Sequence, residues 1–167
     1  MSGWVTHLIL AAVLVLPCTA EAQGNPDYKR LDTMVGRWLV DVDLKATPLT
    51  QSAKASGTEE CEWFADRHVV CRSEAKGPAG SYSQMRIFSY TPARKEYAVY
   101  AVDSLGTALL AHGQVSGDTW TFTTTQPAFN IRLTLKIAPG AYTAVAEYSG
   151  LDGKYLPLSE VRATRTK

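Results

Sequence analysis

Four polar residues break otherwise apolar alternations in this chain: Arg86, Asp103, His112 and Glu147. A carboxylate held beside an Arg or His in a low-dielectric interior has a shifted pKa and can move a proton on a bound substrate. The same groups serve equally as an interior ion pair, or as a polar anchor for a ligand head group. Other chemistry finds less support. Beyond His7, the histidines are His68 and His112, and neither stands in a His-x-His or His-Glu-x-x-His context. A zinc site draws three or four His, Cys or acidic ligands. There is no Gly-x-Ser-x-Gly, since the stretch from Gly80 to Gln84 lacks the second glycine. Ser104 follows Asp103 where a strand meets a turn, and reads as a turn residue. No Walker or Rossmann glycine pattern occurs. Neither a metal nor a cofactor is expected.

Cys61 and Cys71 flank a turn centred on Asp66 in CEWFADRHVVC. In an antiparallel hairpin the two face one another within disulfide reach. A Cys-x9-Cys pair is a staple rather than a redox centre of the Cys-x-x-Cys type. No catalytic cysteine remains once they pair.

The elements that position these residues follow from composition and period. Residues 1–22 stand apart: an apolar run from Leu8 to Leu16, then Pro17, then Ala20-Glu21-Ala22. This is the pattern of a secretory leader cut after Ala22, and it predicts an exported protein, periplasmic or extracellular. Acylation at Cys18 is the alternative, disfavoured by Pro17 directly before it. The run falls short of the roughly 20 residues that span a bilayer, and no other stretch is long enough. Seventeen Lys and Arg against sixteen Asp and Glu leave a nearly neutral chain. That gives no electrostatic reason to bind nucleic acid. No pattern sets an oligomeric state.

Residues 23–35 form a polar lead in which Asn25 caps a helix of two or three turns, with Pro26 at its first position and Gly36 at its end. From residue 36 to 167 the chain alternates with period two, broken only by turn residues. Ten strand-like runs are expected: 37–45, 56–64, 68–75, 82–90, 96–104, 108–116, 119–125, 129–137, 142–150 and 156–165. The segment from Ala46 to Ala55 is expected to be an irregular loop over one end. Short connections favour neighbours pairing as hairpins. Ten consecutive antiparallel strands must dispose of their edges, and closure into one all-β, up-and-down barrel does so. A two-sheet sandwich is the alternative.

Alternation assigns the faces. Trp38, Val40, Val42 and Leu44 share the inner face, as do Cys61 and Trp63, Trp120 and Phe122, and Phe129 to Ile137 at every second position. The expected lining of a ligand cavity is Val42, Trp63, Phe88, Tyr100, Trp120, Phe122, Leu133 and Tyr142, with Arg86 as polar anchor. Both alternations of residues 80–90 and 94–104 carry aromatics, so the faces of Arg86, Phe88 and Tyr100 are left open by period alone.

A helical lead, then Gly36-Arg37-Trp38 at the first strand, then a meander resembles the calycin group, which includes the lipocalins and fatty-acid-binding proteins. The resemblance implies that Gly36 and Trp38 are structural. It also implies that an Arg from the far end of the chain, Arg165 before Arg162, packs across the indole. Some calycin-like barrels of the nitrobindin type bind haem through a histidine near the C-terminus, but residues 141–167 contain none. LDTMVGRWLVDV at 31–42, SGTEECEW at 56–63, FSYTPARKEYAVYAVDSLG at 88–106, GDTWTF at 117–122 and EYSGLDGKYLPLSEVRATR at 147–165 are more closely similar to the DUF1579 family, bacterial lipocalin-like domains without an assigned activity. Thr91 and Tyr155 depart from the family's commoner Asp and Trp. The resemblance implies a fold and little chemistry. Three functions follow as expectations: a module binding a small apolar or amphipathic molecule, a filled-core protein acting through its surface or a dimer contact, and an acid–base enzyme using Asp103 or Glu147.

Overall fold

The computed structural model describes residues 25–48, 50–78, 80–125, 129–150 and 152–166; the expected leader lies outside them. Asn25 accepts a hydrogen bond from the Asp27 amide at 2.9 Å and starts helix α1 (Pro26–Arg30), which tightens into a 3-10 turn over Leu31–Thr33. Pro26 has no amide hydrogen to lose there. The lead is thus a short helix of two turns, the second tightened to 3-10, as its apolar spacing predicts.

Ten antiparallel strands follow: β1 (Gly36–Leu44), β2 (Ala53–Phe64), β3 (His68–Gly77), β4 (Gly80–Thr91), β5 (Glu96–Asp103), β6 (Ala108–Ser116), β7 (Thr119–Thr125), β8 (Asn130–Ala138), β9 (Ala141–Ser149) and β10 (Tyr155–Arg165). Each pairs with its sequence neighbour, and β1 pairs with β10 to close a barrel. No sandwich forms. The first loop is shorter than expected, because Ala53 to Ala55 already pair with β1, at Leu44 to Val42. Gly57 lets β2 and β3 crowd together: a Cβ there would collide with the Glu74 carbonyl on β3.

The helical lead covers one end of the barrel. The Trp38 indole N–H donates to the Met34 carbonyl at 3.0 Å, and the Trp63 indole N–H donates to Asp32 at 2.8 Å. The Tyr97 hydroxyl donates to the Asp27 carbonyl at 2.9 Å. The Arg165 guanidinium lies 4.4 Å from the Trp38 ring centroid and donates to the Thr33 carbonyl. Gly36 has φ of +137°, and a Cβ on it would press against that guanidinium at 3.2 Å. The Gly-Arg-Trp start of β1 is therefore set by the stacking of a residue 127 positions further along the chain.

Above this floor the lower barrel is solid. Phe88, Val99, Trp120, Phe122, Leu135 and Tyr142 are all buried. Tyr97 packs edge-on 4.8 Å from Trp120 and Phe88 tilted 5.9 Å from Phe122, while Trp120 and Phe122 stack at 6.3 Å.

Candidate functional site

The register places a polar row and a row holding the disulfide and Arg86 side by side on one wall of the barrel. One runs across four strands as Glu59, Ser73, Gln84 and Asp103. The next, nearer the floor, runs Cys61, Cys71, Arg86 and Ala101. All share the face of the buried Phe88 and Val99, so all point inward. The opposite wall, from β8 through β10 to β1, is apolar: Leu133, Ala144, Ala146, Val161, Val40 and Val42.

Glu59 holds the first row to the second. Its side chain is 3% exposed, forms an ion pair with Arg86, and accepts the Tyr142 hydroxyl at 2.8 Å. A buried carboxylate stays ionised only when such partners replace its water. Burial pushes the Tyr142 phenol up to about 12, the Glu59 charge adding to the shift and the Arg86 charge opposing it. Arg86 is raised by Glu59 against the opposing pull of burial. Among the described residues its Nε is buried without a partner. A void of about 10 Å³ between Met34, Glu59, Arg86 and Tyr142 has the volume of one water.

Closer to the open end, the Gln84 amide donates to the Tyr82 hydroxyl at 2.9 Å, and Tyr82 donates to Asp103 at 3.2 Å. Burial, followed by the Asp103 charge, raises the Tyr82 pKa. The other oxygen of Asp103 accepts the amides of Leu105 and Thr107, both at 2.9 Å, and so fixes the β5–β6 turn.

Inward side chains of the upper half include the half-exposed Val42, Ala55, Ala101, Leu109, Leu133, Ala146 and Val161, while Tyr148, Thr124 and Ala75 on the same face are buried. The short side chains among them leave room at the centre of a ten-stranded barrel. The upper half is a cup with one polar side, standing on an aromatic floor.

The nine residues expected to line a cavity divide among five places. Val42 and Leu133 stand on the cup wall. Arg86 and Tyr142 meet at its base through Glu59. Phe88, Trp120 and Phe122 are at most 2% exposed and belong to the solid core. Trp63 is tied to the helical lead at the floor. Tyr100 faces solvent at 43% exposure, because it has the parity opposite to Val99. Its outward neighbours Ile87 and Leu110 sit directly across on β4 and β6. Apolar residues on both faces of these strands are the reason alternation left their direction open.

Of the acid–base candidates, Asp103 points inward. His112 lies on the outer surface beside Glu96 at 3.2 Å. Glu147 is outside too, paired with Arg132 at 2.7 Å beneath the Tyr155 ring. No inward pair of titratable groups of the kind an acid–base enzyme needs arises from these two.

Glu59, Gln84 and Tyr82 are the residues that the sequence reading passes over. Glu59 has the same parity as Cys61 and Trp63, and that was its signal. Cys61 and Cys71 form a disulfide, opposite one another as the hairpin reading expects. Ligand atoms of Glu59, Cys61 and Cys71 lie within 4.8 Å of one another, but both sulfurs are committed to the bond and Arg86 faces the carboxylate.

A groove of about 610 Å³ is lined by charged residues of β10, β1, β2 and β3 together with Val42 and Ala55 from the inner face. Lys45 ties Asp43 to Glu160 there, Arg162 lies across from Asp41 and Lys54 across from Asp43, so neither sign of charge prevails.

A family model for a protein of unknown function, DUF1579, matches residues 23–138. The chain belongs to the DUF1579 family. No curated protein matches it in sequence. Among solved structures, this DUF1579 barrel is similar to Rv2717c from M. tuberculosis, with a TM-score of 0.67 and 10% identity over 86% of this chain and 99% of that one. It is also similar to the S-type phycobiliprotein lyase CPES from Guillardia theta, with a TM-score of 0.61 and 11% identity over 88% and 96% of the two chains. At such identities the likeness is one of fold, and function is argued from the cup.

Proposed function

We propose that this chain is an exported binding protein that holds one small amphipathic molecule in the upper half of its barrel. The observation that carries the reading is the divided interior: a polar wall on β2 to β5 faces an apolar wall from β8 to β1, and each has half-exposed residues above a solid floor. Binding sites for small molecules combine this mostly apolar lining with a few convergent polar groups. Export rests on the leader pattern of residues 1–22, and the buried disulfide fits an oxidising compartment.

Native mass spectrometry of protein purified gently from its own cells tests the reading. The expected spectrum carries one discrete extra mass that is lost on unfolding. Ala146→Trp, which fills the cup from the apolar wall, should abolish that mass while leaving the circular dichroism unchanged. A folded wild-type barrel that carries no added mass and takes up no neutral apolar dye would overturn the proposal. The denatured mass checks the rest: a chain starting at Gln23, and two protons fewer than the dithiol form.

A further inference from the structure

We infer that the cup selects an uncharged head group, a hydroxyl or an amide, and rejects a carboxylate. The inference rests on the binding reading above and concerns the chemistry of the ligand's polar end.

Above the floor, Arg86 is the one cation on the inward face among the described residues. It is already neutralised: Glu59 is its ion-pair partner, and the second Glu59 oxygen is occupied by Tyr142. Asp103 adds a further negative charge on the same wall, and among the described residues no cation pairs with it; its partners are the Tyr82 hydroxyl and two backbone amides. The polar side of the cup therefore has an excess of one negative charge. An entering carboxylate would lose its hydration and meet no free counter-charge. It would have to displace Glu59 from Arg86, leaving a buried carboxylate uncompensated.

Between Arg86 and Asp103 stands Gln84, whose amide uses one N–H on Tyr82. Among the described residues, nothing takes its second N–H or its side-chain carbonyl. A hydroxyl or amide satisfies both at once, whereas a carboxylate can only accept. A hydrocarbon tail on the same molecule then lies along Leu133, Ala146 and Val42.

Displacement of the neutral dye Nile red by 1-dodecanol and by dodecanoate at pH 8 decides the matter. The ratio of the two affinities is compared between wild type and Glu59→Gln, which cancels the intrinsic difference between the chains in water. Wild type should favour dodecanol, and Glu59→Gln, with Arg86 set free, should shift the ratio toward dodecanoate by about tenfold or more. Gln84→Leu, which leaves the ion pair intact, should weaken dodecanol several-fold and dodecanoate little; this arm stands even where Glu59→Gln does not fold. A wild type that binds dodecanoate as well as dodecanol, or a ratio unmoved in a folded Glu59→Gln, overturns the inference while sparing the binding reading. A folded wild type that takes up neither dye nor amphiphile overturns the binding reading itself.

Discussion

Glu59→Ala would strand the Arg86 charge inside the barrel, a change that costs about 3–5 kcal/mol in comparable buried pairs. Glu59→Leu combined with Arg86→Met removes both charges and should restore much of the loss, so urea unfolding ought to rank the double variant above either single one. A double variant as weak as the worse single would show that the pair is not a closed unit. Tyr142 supplies a second test. Its phenol titrates at about 12 in the fold, against the ordinary value of 10.0. The folded state thus holds that proton where the unfolded chain has released it. The associated stability is complete below about pH 10 and drains away as pH rises toward 12. Tyr142→Phe should flatten stability over that window, and absorbance near 295 nm should show one late-titrating phenol disappear. At this scale the sequence was partly legible. Arg86 stood out as a polar residue in an apolar alternation, and Tyr142 by its inward parity. Their connection through Glu59 was not legible, because Glu59 and Tyr142 meet across 83 residues and from opposite sides of the barrel.

Among the elements, the β2–β3 hairpin bears the tightest constraints. The disulfide closes its short loop, and Cys61→Ser with Cys71→Ser should cost roughly 2–4 kcal/mol by denaturant unfolding. Four residues from Cys61 toward the open end, Gly57 brings the backbones of β2 and β3 so close that a single methyl cannot fit. Gly57→Ala should therefore destabilise by about 1–3 kcal/mol, as overpacking does, and lower the thermal midpoint by several degrees. An unchanged midpoint would mean that β2 can bend elsewhere. The strands themselves were readable to within a few residues at their ends, since turn residues punctuate them at regular intervals. The start of β2 was not, because Ala53 to Ala55 has little strand propensity and is held extended by pairing with β1. The short lead helix was legible from its apolar spacing, but the tightening of its second turn to 3-10 was not, because the same spacing suits either form.

For the molecule as a whole, closure depends on β10, the last strand made. Removing residues 155–167 would expose β1 and β9 as open edges and remove the Arg165 contact to Trp38. Such a chain should aggregate rather than fold, because unpaired edges template further pairing; a soluble, monomeric truncation in size-exclusion chromatography would show that nine strands suffice. The barrel was foreseeable from ten alternating runs with short connections, which leave an up-and-down path as the simplest closed solution. The division of its interior into a filled floor and an open cup was not. It depends on which large side chains fall at which level of the register, and no single strand records that. The floor has one more consequence. Residue 25 and residue 166 both lie at the closed end, where the Thr166 amide donates to the Arg37 carbonyl at 2.8 Å. A tag, a support or a lipid attached through either terminus would hold the barrel upright with its mouth turned outward, leaving the cup free to sample whatever passes in solution.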